Sequence, residues 1–148
     1  MPGQQQRKKS VRQKLNAMSA EFKNKNVLIV DDSIVRGTTS KQIVQMAKDA
    51  GANKVFFTSA APPVRFPHVY GINMPNRDEL IAHDRTISQI ADHLEIDNLV
   101  YQSVESLRKS IITDSPIKDL EMSCFTGSYV TGTVNQEYLN WVENEYKS

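Results

Sequence analysis

The fold of this chain is decided by the stretch Val27-Leu28-Ile29-Val30-Asp31-Asp32-Ser33-Ile34-Val35-Arg36-Gly37-Thr38-Thr39-Ser40. Its first four residues are apolar and mostly β-branched, a pattern typical of a strand buried on both faces of a parallel sheet. A helix is predicted over about residues 39–50, with Thr38 or Thr39 capping its start and Gly51 ending it. Val55-Phe56-Phe57-Thr58 is the next strand and completes a right-handed β-α-β unit. The sequence therefore predicts an α/β fold built on parallel strands.

Beyond this unit the pattern predicts more helices and one further strand. Residues 61–78 are rich in proline and are predicted to form a long ordered loop. Thr86 and Gln89 match a capping box at the start of a short helix, and Leu99-Val100-Tyr101 is predicted to be a small strand. Two helices follow, one carrying Val104, Leu107 and Ile111, and a last one, capped by Asn135, that is predicted to bury Tyr138, Leu139 and Val142. Since only three strands are found, the sheet is expected to be incomplete at its N-terminal side.

Composition and charge indicate one globular domain with a basic N-terminal segment. The chain has 148 residues, of which 39% are hydrophobic, and its formal net charge is +1, which fits one domain. Residues 1–25 carry seven Lys or Arg and one acidic residue. This asymmetry indicates an anionic partner, either a nucleic acid or a phosphorylated small molecule, with a solvated terminus as the alternative. Part of this arm is predicted to be an amphipathic helix, because Val11, Leu15, Met18 and Phe22 recur at helical spacing.

The same composition argues against a membrane or secreted location. No apolar run approaches the ~18 residues that a membrane span needs, and no signal segment opens the sequence. The single cysteine, Cys124, excludes an internal disulfide framework. A reducing compartment, most simply the cytoplasm, is therefore expected.

Asp31 and Asp32 open a candidate site for a sugar phosphate. They end a buried strand, where open α/β sheets bind ligands, and their mutual repulsion has to be offset by a cation, ligand hydroxyls or helix dipoles. The small and hydroxyl residues around Gly37 lead into a helix N-terminus, whose backbone N–H groups favour a phosphate. Two alternatives are kept: the acids are only turn and capping residues, or the domain is a phosphorelay receiver. A receiver is disfavoured because the later strands end without the third Asp that it needs.

The stretch Asp-Asp-Ser-Ile-Val-Arg-Gly-Thr-Thr, residues 31–39, resembles the phosphoribosyl pyrophosphate (PRPP) motif of type I phosphoribosyltransferases. These nine residues are more specific than the general PRPP motif and are similar to the glutamine-dependent amidophosphoribosyltransferase family, which catalyses the first step of de novo purine (IMP) biosynthesis. Further matches are Lys9-Ser10-Val11-Arg12-Gln13-Lys14-Leu15-Asn16, Arg65-Phe66-Pro67-His68-Val69-Tyr70-Gly71-Ile72, Glu79-Leu80-Ile81-Ala82 and Cys124-Phe125-Thr126-Gly127. The resemblance covers essentially the whole chain.

This resemblance implies a type I phosphoribosyltransferase fold that is incomplete at its N-terminal side. Residues 1–16 match the flexible active-site loop, and residues 17–115 match the sheet and helices, with the PRPP motif at 27–40. Residues 116–148 match a C-terminal extension and helix. The N-terminal glutaminase domain of the family is expected to be absent, so that the chain is interpreted as a fragment with little activity alone.

The resemblance also implies roles for individual residues. Asp31 and Asp32 match the acids that serve a magnesium–PRPP complex and contact the ribose hydroxyls. Arg12 and Lys14, in the closing loop, match the pyrophosphate side of the site, where cationic side chains stabilise the leaving group. The substrate-binding set is Asp31, Asp32, Ser33, Val35, Arg36, Gly37, Thr38, Thr39 and Ser40, of which the last six match the loop that holds the 5′-phosphate. The implied reaction joins ammonia from glutamine to C1 of PRPP. The resemblance also implies that purine nucleotides inhibit the longer parent protein and that this parent protein is a homo-oligomer.

Mg²⁺ is the implied cofactor, and a [4Fe–4S] cluster, which one branch of the family carries, is not expected. Where that branch has a Cys-x-x-Cys pair, this sequence reads Glu121-Met122-Ser123-Cys124, and one thiolate cannot hold a cluster that needs about four. Two other functions stay open: a base-specific phosphoribosyltransferase, and a non-catalytic PRPP- or nucleotide-binding or subunit-contact module. A nucleic-acid binder is disfavoured, because the basic arm lacks interleaved aromatic residues.

Overall fold

A computed structural model describes residues 19–72, 74 and 76–147 of the chain. The three strands form a parallel sheet in the order β1-β2-β3. The elements in chain order are α1 (Ser19–Phe22), β1 (Asn26–Asp31), α2 (Thr38–Asp49), β2 (Lys54–Ser59), a 3₁₀ helix (Arg77–Glu79), α3 (Ile87–Leu94), β3 (Asn98–Tyr101), α4 (Val104–Ile112), α5 (Ser123–Thr126) and α6 (Gln136–Lys147). The predicted α/β class with parallel strands is confirmed.

The central strand β2 aligns the carboxyl ends of its neighbours. Asp31 of β1 pairs with Ser59 of β2, and Ser59 pairs with Tyr101 of β3. Both crossovers advance in the same direction across the sheet, and right-handed crossovers of this kind place their helices on the same face. In agreement with this rule, α2 and α3 contact each other.

One face of the sheet packs against α2 and α3 and forms the core. Phe57 of β2 is completely buried, as are Ile90 and Leu94 of α3. Ile34, three residues beyond β1, is 1% exposed and belongs to the same cluster. The turn that carries the candidate site is therefore held in place by apolar packing.

The opposite face of the sheet is exposed. Leu28 and Val30 of β1 are 61% and 70% exposed, and Val100 of β3 is 55% exposed. The prediction that residues 27–30 are buried on both faces is therefore wrong for the part of the chain that the structure describes. The physical reason is that both crossover helices cover the same side of the sheet.

The predicted helix signals are largely confirmed. The Thr86 hydroxyl accepts from the Gln89 N–H at 3.2 Å, and the Gln89 side chain accepts from the Thr86 N–H at 2.8 Å. Asn135 caps α6 by accepting from the N–H of Tyr138 at 2.9 Å. The Tyr138 side chain was predicted to be buried, which is wrong: it is 39% exposed because it lies on the outer side of α6 with Trp141. Leu139 is buried, as predicted, whereas Val142 is only half-buried.

The described residues of the loop over 61–78 make hydrogen bonds within the loop and to the C-terminal part of the chain, where the Tyr129 hydroxyl donates to the carbonyl of Pro67 at 2.8 Å. The Nδ1 atom of His68 accepts from the N–H groups of Tyr70 and Ile72, and its Nε2 atom lies 3.3 Å from Glu121. Burial alone would raise the pKa of Glu121, but hydrogen bonds from Ser123 and the attraction of His68 lower it further than burial raises it. His68 is thus a structural residue of this loop.

Within the described residues, no helix is both long enough and apolar enough to cross a lipid bilayer.

Candidate functional site

Asp31 and Asp32 lie at the carboxyl end of β1, and hydrogen bonds to the neighbouring strand fix their backbone. The carbonyl of Asp31 accepts from the Ala60 N–H at 3.0 Å, and that of Asp32 accepts from the Ala61 N–H at 2.8 Å. Their carboxylates accept local hydrogen bonds, from the Asp32 N–H at 3.0 Å and from the Ser33 hydroxyl at 3.2 Å. Two adjacent carboxylates are therefore held at fixed positions on the edge of the sheet where parallel folds bind ligands.

Residues 33–40, here called the phosphate loop, lead from β1 into α2. Gly37 is the N-cap of α2 with a φ of 75°, and no side chain caps the helix. The N–H of Lys41 donates to the carbonyl of Gly37 at 2.8 Å, whereas the first N–H groups of a helix lack intrahelical acceptors. These N–H groups and the helix dipole together favour an anion at this end.

The prediction that Thr38 or Thr39 caps α2 is wrong. Gly37 takes the cap position because the chain turns through a left-handed conformation there, which glycine adopts without steric cost. As a result, Thr38 and Thr39 are the first residues of the helix itself, and both are exposed. Their hydroxyl groups remain accessible to a ligand.

The phosphate loop rests on residues 79–81, which follow the long loop. The Ile81 N–H donates to the carbonyl of Val35 at 2.9 Å, and Nη2 of Arg36 lies 2.6 Å from Oε2 of Glu79. A Cβ atom added to Gly37 would overlap with Cδ1 of Ile81, so a larger residue at this position requires the Ile81 side chain to shift. Glu79 and Ile81 are residues of the site that the sequence patterns did not indicate, since only the resemblance singled out their segment.

The structure brings the predicted residues of the phosphate loop together but distributes them between surface and interior. Ser33 and Val35 are half-buried, Arg36 is exposed and Gly37 is buried. Ser40 is 3% exposed, so a contact from this residue to a ligand falls to its backbone. Arg12 and Lys14, with the rest of the predicted closing loop at residues 1–16, lie outside the described residues.

The donor set fits one of the two cofactors considered. In the ranges 19–72 and 76–147, no group of three or more His, Cys, Asp or Glu side chains is placed to hold a metal ion. Mg²⁺ usually takes only one or two protein carboxylates, with water and substrate phosphates as the other ligands, so Asp31 and Asp32 fit an ion that the substrate helps to hold. These 148 residues do not by themselves supply the ligands of a [4Fe–4S] cluster, because they include one cysteine, Cys124, and a cluster needs about four. Burial, and then the charge of Glu121, raise the pKa of the Cys124 thiol.

Comparison with known proteins identifies relatives over nearly the full length of the chain. It is 54% identical over 146 residues to the amidophosphoribosyltransferase of Haemophilus influenzae. This match covers 98% of this chain and 29% of that protein. It is 51% identical over 148 residues to the amidophosphoribosyltransferase of Saccharomyces cerevisiae, with 100% and 29% coverage. This chain is homologous to part of the amidophosphoribosyltransferases. No family model matches it.

A solved amidotransferase structure shows the same arrangement of elements. The glutamine PRPP amidotransferase of B. subtilis, complexed with ADP and GMP, matches with a TM-score of 0.68 at 35% sequence identity. The match covers 88% of this chain and 29% of that one. The three-stranded parallel sheet therefore corresponds to part of a PRPP amidotransferase, which confirms the predicted fold. The chain spans about 29% of the length of the H. influenzae relative.

Proposed function

We propose that this chain forms the PRPP-binding part of a glutamine-dependent amidophosphoribosyltransferase in purine biosynthesis. The observation that supports this most strongly is the position of Asp31 and Asp32. These carboxylates lie at the carboxyl end of β1, and the phosphate loop leads from them directly to the uncapped N-terminus of α2. A ribose 5-phosphate has hydroxyl groups for the carboxylates and a dianionic phosphate for the helix N-terminus, so it matches both parts of this site.

In the proposed reaction, the site holds the sugar phosphate at both ends. Asp31 and Asp32 accept hydrogen bonds from the ribose hydroxyls, while the N–H groups of the phosphate loop bind the 5′-phosphate. Asp31 and Asp32 would also hold Mg²⁺, which supplies positive charge to the pyrophosphate of PRPP. Fixing both ends orients C1, and such positioning lowers the barrier for attack.

The chemical step exchanges one bond at C1 for another. The nitrogen of ammonia forms a bond to C1, the bond from C1 to the pyrophosphate oxygen breaks, and its electron pair leaves with pyrophosphate. The nitrogen then loses a proton, which gives phosphoribosylamine. We assign Arg12 and Lys14 to the pyrophosphate side, where they stabilise the leaving group as its charge develops. Closure of residues 1–16 over the site excludes water from the reacting C1.

The finer parts of this proposal concern the longer protein and its partners. Residues 17–115 form the body of the phosphoribosyltransferase part, and residues 116–148 form its C-terminal extension. Ammonia comes from glutamine at a glutaminase site outside these 148 residues, and the enzyme works in the cytoplasm as a homo-oligomer. Purine nucleotides act as inhibitors, a view supported by the ADP and GMP in the B. subtilis structure.

An exchange of segments tests this proposal. The matching segment of the H. influenzae amidophosphoribosyltransferase is replaced by this chain, and pyrophosphate release from PRPP with ammonium is measured beside glutamine hydrolysis. We expect the hybrid to release pyrophosphate. In the hybrid, Asp31→Asn with Asp32→Asn should lower that release by roughly 10²-fold or more, the scale of losing a stabilising contact at the reacting centre. Glutamine hydrolysis should continue.

A matched control removes the same charge elsewhere. Asp92→Asn with Asp114→Asn changes two exposed carboxylates that belong neither to β1 nor to the phosphate loop and should leave pyrophosphate release unchanged. Release that survives the Asp31 and Asp32 changes at more than a few per cent would contradict the assignment. A folded hybrid that releases no pyrophosphate would support the non-catalytic module, and release that requires a nucleobase in place of ammonium would support the base-specific enzyme.

A further inference from the structure

Three successive residues of the phosphate loop contact residues 79–81. Val35 accepts a backbone hydrogen bond from Ile81, Arg36 pairs with Glu79, and Gly37 lies directly against the Ile81 side chain. The Arg36–Glu79 contact, at 2.6 Å, is the contact among these that depends on two charged side chains. Arg36, the middle one of these three residues, thus makes an ion pair between side chains that are about half exposed, and its neighbours are held through the backbone and through packing.

Residues 79–81 are themselves held by the rest of the fold. Just before them, Arg77 donates from Nε and Nη2 to the carboxylate of Glu143 in α6, at 2.5 Å and 3.0 Å. The hydrogen bond to Glu143 raises the pKa of Arg77 above its ordinary value. Beyond them, Nη1 of Arg65 donates to the carbonyl of Ala82 at 2.6 Å. The segment is therefore a fixed support that connects the C-terminal helix with the phosphate loop.

We propose that Glu79 is a positioning residue of the phosphate loop and acts through Arg36. Arg36 orients the backbone between Val35 and Gly37, and the loop N–H groups, not the guanidinium group of Arg36, bind the phosphate. One nitrogen of the Arg36 guanidinium, Nη2, lies 2.6 Å from the Glu79 carboxylate, whereas the N–H groups at the start of α2 have no side-chain cap. This inference rests on the proposed function in one respect only, namely that the ligand of the loop is a phosphate.

Amide hydrogen exchange of the 148-residue chain tests the positioning role without any ligand. The Ile81 amide reports its bond to Val35, and the Lys41 amide reports its bond to Gly37. Glu79→Lys and Arg36→Glu should each speed exchange at both amides by about three- to tenfold, because each replaces an ion pair with a like-charge pair. The combined exchange, Arg36→Glu with Glu79→Lys, should return both rates to within about twofold of the unsubstituted chain.

A control variant and a stability measurement separate local from general effects. Glu21→Lys breaks a comparable exposed pair with Lys25, 3.0 Å long, in the segment before β1, and should leave the Ile81 amide unchanged. Urea unfolding of each variant shows whether faster exchange reflects loosening of the loop or destabilisation of the whole chain. Equal exchange at Ile81 in the unsubstituted chain and in Glu79→Lys would overturn the positioning role.

Calorimetry with magnesium and PRPP provides the second readout. Glu79→Gln removes the charge of Glu79 and keeps the Arg36 side chain. If Glu79 positions the loop through Arg36, this variant binds PRPP more weakly than the unsubstituted chain. If it binds with equal or higher affinity, the guanidinium of Arg36 itself holds the phosphate and the proposal is overturned. If the unsubstituted chain does not bind PRPP, the proposed function fails for the isolated chain, and the exchange rates still decide whether Glu79 positions the loop.

Discussion

Replacing Gly37 with Ala is expected to destabilise the chain through two separable effects. Gly37 has a φ of 75°, and a side chain costs about 1–2 kcal/mol in that left-handed conformation. The added Cβ atom would also overlap with Cδ1 of Ile81, so that the Ile81 side chain has to shift at a cost of about 0.5–1.5 kcal/mol. Together the two effects should lower the free energy of unfolding by roughly 1.5–3.5 kcal/mol.

Urea unfolding measures this loss, and two further variants divide it. Gly132 has a similar φ of 68° and nothing within 4 Å of an added Cβ atom, so Gly132→Ala should show the backbone cost alone. Ile81→Val removes the Cδ1 atom and costs about 0.5–1.5 kcal/mol by itself. In that background Gly37→Ala should cost no more than Gly132→Ala does, a coupling that a double-mutant cycle detects. If Gly37→Ala and Gly132→Ala are equally destabilising in the unsubstituted background, the close contact with Ile81 has no energetic weight.

Other substitutions test the remaining contacts. The pKa of Glu121 is lowered in the fold. The stability that Glu121 contributes is therefore present above its unfolded pKa of about 4.3 and is lost as the pH falls through the folded pKa. Thermal melts between about pH 3 and 6 should show a melting temperature that depends less on pH in Glu121→Gln than in the unsubstituted chain. Arg77→Met leaves the 8%-exposed Glu143 without this guanidinium and should cost up to about 3 kcal/mol in urea, with a smaller loss when Glu143→Leu is added. Leu28→Thr with Val30→Thr should reduce light scattering from self-association with little loss of stability, because both side chains are exposed; a loss as large as that of a core substitution would show that this face is covered.

The sequence was a good guide wherever one short stretch contains all the information. The capping box at Thr86 and the cap at Asn135 depend on side chains that reach only three residues along the chain, and both are confirmed. The start of α2 was placed differently, because the preference of threonine for cap positions is weaker than the need for a left-handed residue, Gly37, at this turn. Contacts between distant segments could not be predicted in this way. Glu79 and Ile81 contact the phosphate loop only because the long loop returns to it, and the hydrophobic periodicity of the sequence does not predict the course of that loop.

The apolar pattern of β1 predicts burial on both faces of the sheet, but one of these faces is exposed. Residues 27–30 are apolar without alternation, as in strands that helices cover on both sides. In the described residues α2 and α3 cover one side, since both crossovers run in the same direction, and Leu28 and Val30 are left 61% and 70% exposed on the other. Contiguous apolar surface of this kind marks a place where other protein packs. The apolar composition of β1 therefore predicts a second covering layer on this face, which α2 and α3 do not supply in the part of the chain that the structure describes.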